Sequence, residues 1–276
     1  MIILEMEGGL GNQMFQYAFA KACSVRSREQ LFLDLTWYRN KSSKRRFLLD
    51  KLNVSYGRSS ANRLSIGMIK LVKNPSVLKD EGFFEEKSLE IHGNTLLEGY
   101  WESYKYFEAI AEDIKKGFAL KKPSEIFIEL SKDIRPDSIA IHVRRGDFLA
   151  LTDSRCQNGV PYYTRAVEQI VEKRGLRDPQ IVVFSDDPEW CKAELRSLAG
   201  RPTAIFEGKL DSDAEELMLM SLYGNQVISN STFSWWAAYL NPNPDKTIVM
   251  PKDWFMDTDR NSKHLSGMKV PGWIVV

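Results

Sequence analysis

Alternation of short apolar runs with helical patterns is the feature of this sequence that most limits its fold. After Pro136, apolar runs typical of strands occur five times, at 138–143, 180–184, 203–206, 226–229 and 247–250. The segments between them place apolar residues at three- and four-residue spacing, which predicts helices. Strands that alternate with helices form a parallel sheet covered on both faces. We therefore predict a doubly wound α/β domain for this part of the chain.

A second strand-and-helix pattern occupies the N-terminal part of the chain. The apolar runs IILEM and LFLDL enclose the glycine turn GGLGN and a segment with one apolar helical face, formed by Met14, Ala18, Ala22 and Val25. This order predicts a strand–helix–strand unit with parallel strands. Farther along, residues 95–101 predict a strand and residues 104–118 a helix, whereas residues 57–90 predict only irregular or short helical structure.

The two patterns together predict an α/β protein of two halves. The first pattern gives way to the second between residues 117 and 137, which sets the domains at 1–125 and 126–276. Open α/β sheets bind their ligands beyond the carboxyl ends of the strands. Because the polar clusters of this sequence follow predicted strands, we expect the functional site at such strand ends.

Charge and cysteine content exclude several classes of protein. The chain has 38 lysines and arginines against 37 aspartates and glutamates, a net charge of +1, so it has no overall field to hold nucleic acid or an anionic membrane. No apolar stretch approaches the ~20 residues that span a bilayer. The scattered cysteines, Cys23, Cys156 and Cys191, form neither a CxxC pair nor a disulfide framework and favour a reducing compartment such as the cytoplasm.

The stretch AIHVRRGDF (140–148) places cations directly after a predicted buried strand. His142 lies within the strand, and Arg144, Arg145 and Asp147 lie on the loop beyond it. A guanidinium donates two parallel hydrogen bonds to a phosphate and keeps its charge at all physiological pH values. Asp147 could pair with one arginine and hold it in place. The stretch therefore indicates an anion site, and a surface cluster of ion pairs is the alternative.

The glycine turn GGLGNQMFQ resembles a dinucleotide-binding fingerprint but does not satisfy it. Met14 stands where the third glycine of that fingerprint is needed for close packing of the helix on the sheet. The turn presents Asn12 and Gln13 at a helix N-terminus, where backbone N–H groups can meet an anion or a sugar hydroxyl. A tight strand-to-helix turn with no role in binding is the alternative.

Two further polar clusters follow predicted strands in the C-terminal half. In FSDDPEW, Asp187 is suited to cap the next helix, which leaves Asp186 available to accept hydrogen bonds from a guanine edge or a ribose hydroxyl. In ISNSTFSWW, four consecutive hydrogen-bonding residues exceed the need for one helix cap and indicate a phosphate cradle, formed by Ser229, Asn230, Ser231 and Thr232. The tryptophan pair that follows suits either the core or the border of a sugar pocket.

These motifs together predict one crevice that binds a nucleoside diphosphate without a P-loop and without a metal ion. They also resemble those of glycosyltransferase family 11, the α-1,2-fucosyltransferases, in its bacterial form. The resemblance covers nearly the whole chain, because GGLGNQMFQYAFA, LEGYWESYKYF, IHVRRGDF, FSDD and ISNSTFSWWAAYL occur in the family's order. It implies a GT-B-like fold, in which two Rossmann-like halves face a central cleft.

The resemblance also implies roles for individual residues. GDP-fucose would bind the C-terminal half, with Arg144 on the β-phosphate and Asn12 near the reacting centre. The donor-binding set would be His142, Arg144, Arg145, Asp186, Ser231, Thr232 and Phe233. The N-terminal half would receive the acceptor, with Gly11, Gln13, Tyr100 and Trp101 on the acceptor side.

The reaction implied is the inverting transfer of L-fucose to the 2-hydroxyl of a galactoside. Its transition state resembles an oxocarbenium ion, and negative charge grows on the departing diphosphate. A preorganised arginine would stabilise that charge, so no metal and no other cofactor are expected. Glu7 and Asp147 are the candidates for the general base, and Asp147 suits the orientation of an arginine better.

The expected partners are GDP-fucose and a galactose-containing oligosaccharide or lipid-linked glycan, with no nucleic acid. Relatives of this kind build O-antigen or capsule repeats at the cytoplasmic face of the inner membrane, so peripheral membrane contact stays open. The sequence also leaves two other functions open, a fucosyltransferase of another linkage and a non-catalytic module that binds a nucleotide sugar.

Overall fold

The chain folds into two units, each built around a sheet with parallel strands. A computed structural model describes residues 1–39, 45–57, 67, 70–71, 73–150 and 155–276, except for the side chain of Asp147. The N-terminal unit comprises Met1–Lys121 with Ser266–Met268, and the C-terminal unit comprises Lys122–Leu265 with Lys269–Val276. The assignment of one half to the acceptor and the other to the donor stays a prediction.

The N-terminal unit contains a four-stranded parallel sheet with the order β2-β1-β4-β3. Its strands are β1 (Ile2–Glu5), β2 (Leu31–Asp34), β3 (Ser76–Lys79) and β4 (Thr95–Glu98). Helix α1 (Leu10–Ser27) connects β1 to β2, so the predicted strand–helix–strand unit is confirmed. Leu4 pairs in register with Leu33 and Leu97, and all three are fully buried in the middle of the sheet.

Helix α1 begins at the glycine turn and is buried on nearly all sides over its first three turns. Gly8 has a φ of +79°, a conformation that glycine adopts without strain, and Gly9 is the residue before the helix. Met14 and Ala18 are fully buried, as the apolar pattern predicts. Val25 is 49% exposed, so its predicted place on the buried face is wrong; it lies in the last turns of the helix, beyond the core.

Two predictions for the N-terminal unit need correction. Strand β3 was not predicted, because its residues are mostly exposed at the edge of the sheet and give no core pattern. The predicted helix at 104–118 is interrupted: two 3₁₀ turns, Tyr104–Tyr106 and Glu108–Ile110, precede α2 (Ala111–Gly117). The parts of 57–90 at 58–66, 68–69 and 72 lie outside the described residues.

The C-terminal unit contains a seven-stranded sheet with the order β11-β10-β9-β5-β6-β8-β7. Its strands are β5 (Ile139–Val143), β6 (Ile181–Ser185), β7 (Ser197–Leu198), β8 (Arg201–Ile205), β9 (Asn225–Val227), β10 (Thr247–Met250) and β11 (Ile274–Val275). All neighbours pair in parallel except β7 with β8. The five predicted strands are therefore confirmed within two residues at their ends.

The helices of this unit are confirmed where an apolar pattern predicted them. They are α4 (Val160–Arg174), α5 (Pro188–Glu194), α6 (Asp213–Ser221) and α7 (Thr232–Tyr239). Two more helices were not predicted, α3 (Glu125–Lys132) and α8 (Thr258–Met268). Helix α3 has no buried residue, and its apolar side chains Ile126 and Ile128 are 46% and 45% exposed. None of the described helices combines the length and apolar character needed to cross a bilayer.

Strand β5 lies in the middle of the sheet and is buried along its whole length. Ile139, Ile141 and Val143 point to one face and join a core that includes residues of α4. Ala140 and His142 alternate with them on the other face. A histidine in such a strand needs a polar partner within the protein, and its position brings the residues that follow it to the carboxyl edge of the sheet.

A single buried carboxylate satisfies backbone groups at the starts of α3 and α6. Glu215 is 3% exposed, and its side chain accepts hydrogen bonds from the backbone N–H of Ser124 at 2.6 Å and of Asp211 at 3.0 Å. The Ser124 hydroxyl donates to the same carboxylate at 3.0 Å. Negative charge at helix N-termini is favourable, and loss of this acceptor would leave buried N–H groups unsatisfied.

We expect Glu215→Ala to lower the free energy of unfolding by about 2–3 kcal/mol, the usual cost of orphaned hydrogen bonds to a charged group. Glu129→Ala, on the exposed surface of α3, is the control and should change it by less than about 0.5 kcal/mol. Urea denaturation followed by circular dichroism measures both. Equal stability of the two variants would contradict this role for Glu215.

Candidate functional site

The candidate site lies at the carboxyl ends of three adjacent strands, β9, β5 and β6. The loop after β5 carries Arg144 and Arg145, the loop after β6 carries Asp186, and the segment after β9 carries Ser229. Direct contacts join the three segments, as the next paragraphs describe. The structure therefore brings together three of the four predicted motifs, and the glycine turn belongs to the other unit.

His142 links β5 to the segment after β9. Its side chain is buried, and Nδ1 lies 2.9 Å from the Ser229 hydroxyl oxygen. Burial, with a smaller contribution from the nearby Arg144 cation, lowers the pKa of His142 to about 3. The imidazole is therefore neutral at physiological pH. The expected polar partner of this histidine is Ser229, and the Phe233 ring centroid lies 5.4 Å from the imidazole.

Arg144 is held at the strand end by an ion pair with Asp186. One terminal guanidinium nitrogen lies 2.8 Å from Asp186 Oδ2, and the two side chains are 19% and 26% exposed. The guanidinium carbon also lies 5.5 Å from the centroid of the Phe148 ring. The cation is thus positioned within the unit yet accessible to a ligand.

The loop after β5 binds the Asp186 carboxylate. This corrects the prediction that the carboxylate has no other contact and is free for a guanine base. Its Oδ1 accepts a hydrogen bond from the backbone N–H of Arg145 at 2.9 Å, while Oδ2 pairs with Arg144. A Cβ on Gly146 would lie 2.5 Å from Asp186 Oδ2, so this approach of the two loops requires glycine. Asp186 is therefore an orienting carboxylate of Arg144. The side chain of Asp147, the predicted partner, lies outside the described residues.

Arg145 is held by the start of α5. Its Nε lies 3.1 Å from Asp187 Oδ2, and its guanidinium carbon lies 4.0 Å from the centroid of the Trp190 ring. Asp187 also accepts a hydrogen bond from the backbone N–H of Trp190, which confirms its predicted role as helix cap. These contacts give Arg145 a structural function, and its contribution to donor binding stays a prediction.

Some residues of the polar run after β9 stabilise the fold, and others lie where a ligand could contact them. Ser229 contacts His142, and the Asn230 amide donates to the carbonyls of Cys156 at 2.8 Å and Trp254 at 3.3 Å. Ser231 precedes α7, yet its side chain makes no capping hydrogen bond to the helix. Thr232 and Phe233 are partly exposed at the start of that helix. Trp235 and Trp236 are fully buried, so of the two interpretations of this pair, the one that places it in the core is confirmed.

Glu216 is a candidate residue that the sequence analysis missed. It lies on α6, and burial raises its pKa to about 7, with Asp213 and Asp186 adding repulsion. Its carboxyl group is therefore close enough to Asp186 for their charges to interact. The signal was present in the sequence, because Glu216 shares a helical face with three apolar residues: Leu219, Met220 and Tyr223.

The glycine turn of the N-terminal unit is organised by Asn12 and Gln13. A Cβ on Gly8 would lie 2.9 Å from Asn12 Nδ2, so the asparagine side chain covers this glycine. Gln13 is fully buried; its amide donates to the carbonyl of Arg46 at 2.7 Å and accepts from the backbone N–H of Leu48 at 2.9 Å. Gln13 therefore fastens a neighbouring segment, and its contact with an acceptor stays a prediction. Gly11 is also buried.

Tyr100 and Trp101 have different environments although both were predicted on the acceptor side. Trp101 is 1% exposed and stacks on Phe19 with ring centroids 3.9 Å apart, so it packs in the core, and its contact with an acceptor stays a prediction. Tyr100 is 38% exposed and remains available to a ligand. Asp80 fixes this turn, because its carboxylate accepts the backbone N–H groups of both residues, at 3.1 and 2.8 Å.

Glu7 and the question of a metal site remain to be considered. Glu7 is partly exposed and lines a cavity at the carboxyl edge of the N-terminal sheet. In the part of the chain that the structure describes, no cluster of three or more histidine, cysteine or carboxylate side chains could hold a metal ion. The arrangement after β5 instead offers arginine, hydroxyl groups and a helix N-terminus, which suit an anionic ligand.

Sequence comparison finds relatives that act on sugars. The chain is 29% identical to an alpha-1,2-colitosyltransferase of Escherichia coli over 95% of each chain. It is 28% identical to the O-antigen biosynthesis glycosyltransferase WbnK of Escherichia coli over 98% of each chain. It is 24% identical to galactoside 2-alpha-L-fucosyltransferase Sec1 of Mus musculus, over 87% of this chain and 64% of that protein.

Solved structures with a similar fold include POFUT1 in complex with GDP-fucose. The TM-score is 0.52 at 13% identity, over 90% of this chain and 96% of that one. A mutant of Arabidopsis thaliana FUT1 in complex with GDP gives a TM-score of 0.50 at 14% identity, over 89% of this chain and 72% of that one. These similarities confirm the predicted GT-B-like α/β fold.

The family itself is established by its sequence profile. Glycosyl transferase family 11 matches residues 73–276, which include the whole C-terminal unit and its site. The profile match covers well over half of the chain. The protein is therefore a glycosyltransferase, and the chain belongs to Glycosyl transferase family 11.

Proposed function

We propose that the protein transfers L-fucose from GDP-fucose to the 2-hydroxyl of a galactoside, with inversion at the anomeric carbon. The observation that carries this proposal is Arg144, an accessible cation fixed 2.8 Å from Asp186 at the carboxyl edge of the C-terminal sheet. The relatives named for 2-linked fucosyl transfer and alpha-1,2-colitosyl transfer support the linkage. The similarity in fold to a protein that binds GDP-fucose is compatible with the donor.

Arg144 stabilises the departing diphosphate in this proposal. As the bond between fucose and GDP breaks, negative charge grows on the β-phosphate. A guanidinium carries five N–H donors, so Arg144 can hold Asp186 and phosphate oxygens at once. Because the ion pair fixes the cation before substrate binds, little reorganisation is needed when the charge develops. The Ser231 hydroxyl and the N-terminus of α7 would bind the same diphosphate.

Glu216, beside Asp186, is the carboxylate that we assign to the guanine edge. An ionised carboxylate can accept both hydrogen bonds that guanine donates from N1 and from its exocyclic amino group. Asp186 already holds the loop after β5, so Glu216 is better suited to this task. Asp186 then acts as the positioning residue for Arg144, with a ribose hydroxyl as a further partner.

The acceptor hydroxyl requires a base, and Glu7 is the better of the two predicted candidates. Among the described residues, its carboxylate makes no hydrogen bond and no ion pair, whereas its backbone N–H donates to Gln16 at 3.2 Å. A carboxylate without such partners is available to accept a proton. We propose that the acceptor binds the N-terminal unit and that Glu7 takes the proton from its 2-hydroxyl, with Asn12 nearby.

Colitosyl transfer is the second candidate function. Colitose is the 3-deoxy form of L-fucose, and the colitosyltransferase relative aligns with nearly the whole chain. Both donors would place the same diphosphate on Arg144. The biosynthetic role that we propose is assembly of an O-antigen or capsule polysaccharide in the cytoplasm, supported by the O-antigen relative.

We expect Arg144→Lys to lower kcat with GDP-fucose by about 10²–10³, because lysine keeps the charge but loses the planar fork. Arg174→Lys, an exposed position near the end of α4, is the matched control and should retain wild-type turnover. Steady-state kinetics with a β-galactoside acceptor measures both. Full turnover by the Arg144 variant would contradict the proposed role of this residue.

We expect transfer to proceed unchanged in excess EDTA, because fixed cationic and hydrogen-bonding groups replace a divalent metal in the proposal. The assay uses a panel of galactosides with GDP-fucose and with GDP-colitose, and product analysis identifies the new linkage. Loss of activity that added magnesium or manganese restores would contradict the metal-independent mechanism. A product linked through a hydroxyl other than the 2-hydroxyl would contradict the proposed regiochemistry.

We expect the affinity for GDP to fall as the pH drops below about 7, the pKa of Glu216. The sign follows from the role assigned, because only the ionised carboxylate accepts both guanine hydrogen bonds, and protonation removes that ability. Isothermal titration between pH 5.5 and 8.5 measures the profile. Glu216→Gln should bind GDP more weakly and lose this pH dependence; an unchanged profile in the variant would assign the titration to another group.

A further inference from the structure

We propose that Phe148 and Arg155 are positioning residues for Arg144, and that they orient its guanidinium independently of Asp186. This inference rests on the proposed function of Arg144 and deepens it. Phe148, Arg155 and Phe255, here called the cation–aromatic series, connect Arg144 with the segment that precedes α8. None of the three belongs to the predicted donor-binding set.

An ion-pair contact through one nitrogen orients a guanidinium only in part. One terminal nitrogen of Arg144 lies 2.8 Å from Asp186 Oδ2, whereas Asp186 Oδ1 accepts the backbone N–H of Arg145. Such a contact fixes one point of the guanidinium, while a bidentate fork would also fix its plane. The plane decides where the other N–H groups of Arg144 point, so a contact to the face of the guanidinium completes its orientation.

Phe148 supplies an aromatic contact to Arg144. The Arg144 guanidinium carbon lies 5.5 Å from the centroid of the Phe148 ring, and the Arg155 guanidinium carbon lies 5.5 Å from the same centroid. Both distances fall within the ~6 Å over which the face of a ring attracts a cation. The partly buried Phe148 ring therefore has two cations as neighbours, and Arg155 helps to hold it beside Arg144.

Arg155 is itself fixed by the segment that precedes α8. Its guanidinium carbon lies 4.2 Å from the centroid of the Phe255 ring, and its backbone forms an isolated antiparallel β-bridge with Phe255. The next residue, Cys156, donates its backbone N–H to the carbonyl of Trp254 at 3.3 Å. Phe255 is 5% exposed and Trp254 is fully buried. Arg155 thus joins the loop after β5 to the core of the C-terminal unit.

The surroundings of Phe255 provide a matched control for Arg155. Arg260 is exposed, and its guanidinium carbon lies 3.9 Å from the same Phe255 centroid. His264 meets this ring edge-on at a centroid distance of 5.0 Å. Burial, with smaller contributions from the Arg155 and Arg260 cations, lowers the pKa of His264 to about 3, so its imidazole is neutral at physiological pH. Two arginines therefore share one ring, and Arg155 is the one that also contacts Phe148.

The first experiment measures steady-state kinetics of two Phe148 variants with GDP-fucose. We expect Phe148→Leu to lower kcat by about three- to tenfold, because a misplaced cation stabilises the departing diphosphate less well. The GDP-fucose KM should stay within about twofold, since ground-state binding tolerates a guanidinium that can rotate. Phe148→Tyr should retain the wild-type kcat because it keeps the ring. An equal loss of kcat in both variants, or a loss confined to KM, would overturn the role of the ring.

The second experiment compares the two arginines that share Phe255. Arg155→Gln should lower kcat by about the same factor as Phe148→Leu, and Arg155→Lys should recover part of the loss because an ammonium group is also attracted to the rings. Arg260→Gln removes the same charge from the same ring but leaves the contact between Arg155 and Phe148, so it should keep kcat within about twofold. An equal loss in Arg155→Gln and Arg260→Gln would assign the effect to overall charge and overturn the inference.

Combined variants test whether Arg155 acts through Phe148 and Arg144. Effects of residues that act through one another are not additive, so Arg155→Gln should change kcat by less than about twofold in the Phe148→Leu and Arg144→Lys backgrounds. A full additional loss in those backgrounds would overturn the positioning role. So would a GDP-fucose KM that Arg155→Gln alone raises by more than about fivefold, because Arg155 would then bind the donor directly.

NMR of the arginine side chains separates failure of this inference from failure of the proposed function. The Nε–H resonance of Arg144, assigned by its loss in Arg144→Lys, reports on the neighbouring ring whether or not sugar is transferred. We expect this resonance to shift in Phe148→Leu and in Arg155→Gln and to stay in place in Arg260→Gln. Such shifts without sugar transfer by the wild type would overturn the proposed function alone. A resonance unchanged in Phe148→Leu and Arg155→Gln, with circular dichroism showing folded variants, would overturn the positioning role alone.

Discussion

The ion pair between Arg144 and Asp186 is the interaction on which the site of the C-terminal unit depends. One carboxylate holds the side chain of Arg144 through Oδ2 and the backbone N–H of Arg145 through Oδ1, so it fixes both the cation and the loop that carries it. Gly146 permits the approach, since any side chain there would collide with Asp186. In the proposed reaction this arrangement matters more than the charge itself, because a cation already in place needs no reorganisation as the diphosphate departs.

Most polar residues at these strand ends serve the fold, and few are left for a ligand. Ser229 contacts His142, Asn230 holds two backbone carbonyls, and Asp187 caps α5 while it orients Arg145. Such contacts keep loops of irregular structure in one conformation, because their buried polar groups are satisfied. Ser231, with no helix-capping bond, and the partly buried Glu216 stand out against this background.

Periodicity in the sequence predicted the elements that build the core and failed where burial is low. Strand β5 and helix α4 were found because their apolar faces repeat, whereas β3 lies exposed at a sheet edge and α3 buries no residue. Residue type alone could not distinguish the environments of Tyr100 and Trp101. The turn fixed by Asp80 exposes Tyr100 to solvent and packs Trp101 on Phe19. Asp186 was assigned to a ligand because its contact with the loop after β5 could not be predicted. The two partners lie about forty residues apart in the sequence, and such a contact leaves no local sequence pattern.

Although the net charge of the chain is near zero, the two sheet edges carry side chains of opposite charge. The edge of the C-terminal sheet presents arginines after β5, while the edge of the N-terminal sheet presents acidic residues at the ends of three strands. If GDP-fucose and a neutral galactoside are the substrates, this difference in charge also keeps GDP-fucose from binding at the N-terminal sheet edge. The diphosphate is attracted to the first site and repelled by the second, whereas a neutral sugar gains most from carboxylates that accept its hydroxyl hydrogens. Local charge, rather than overall charge, would then direct each substrate to its own unit.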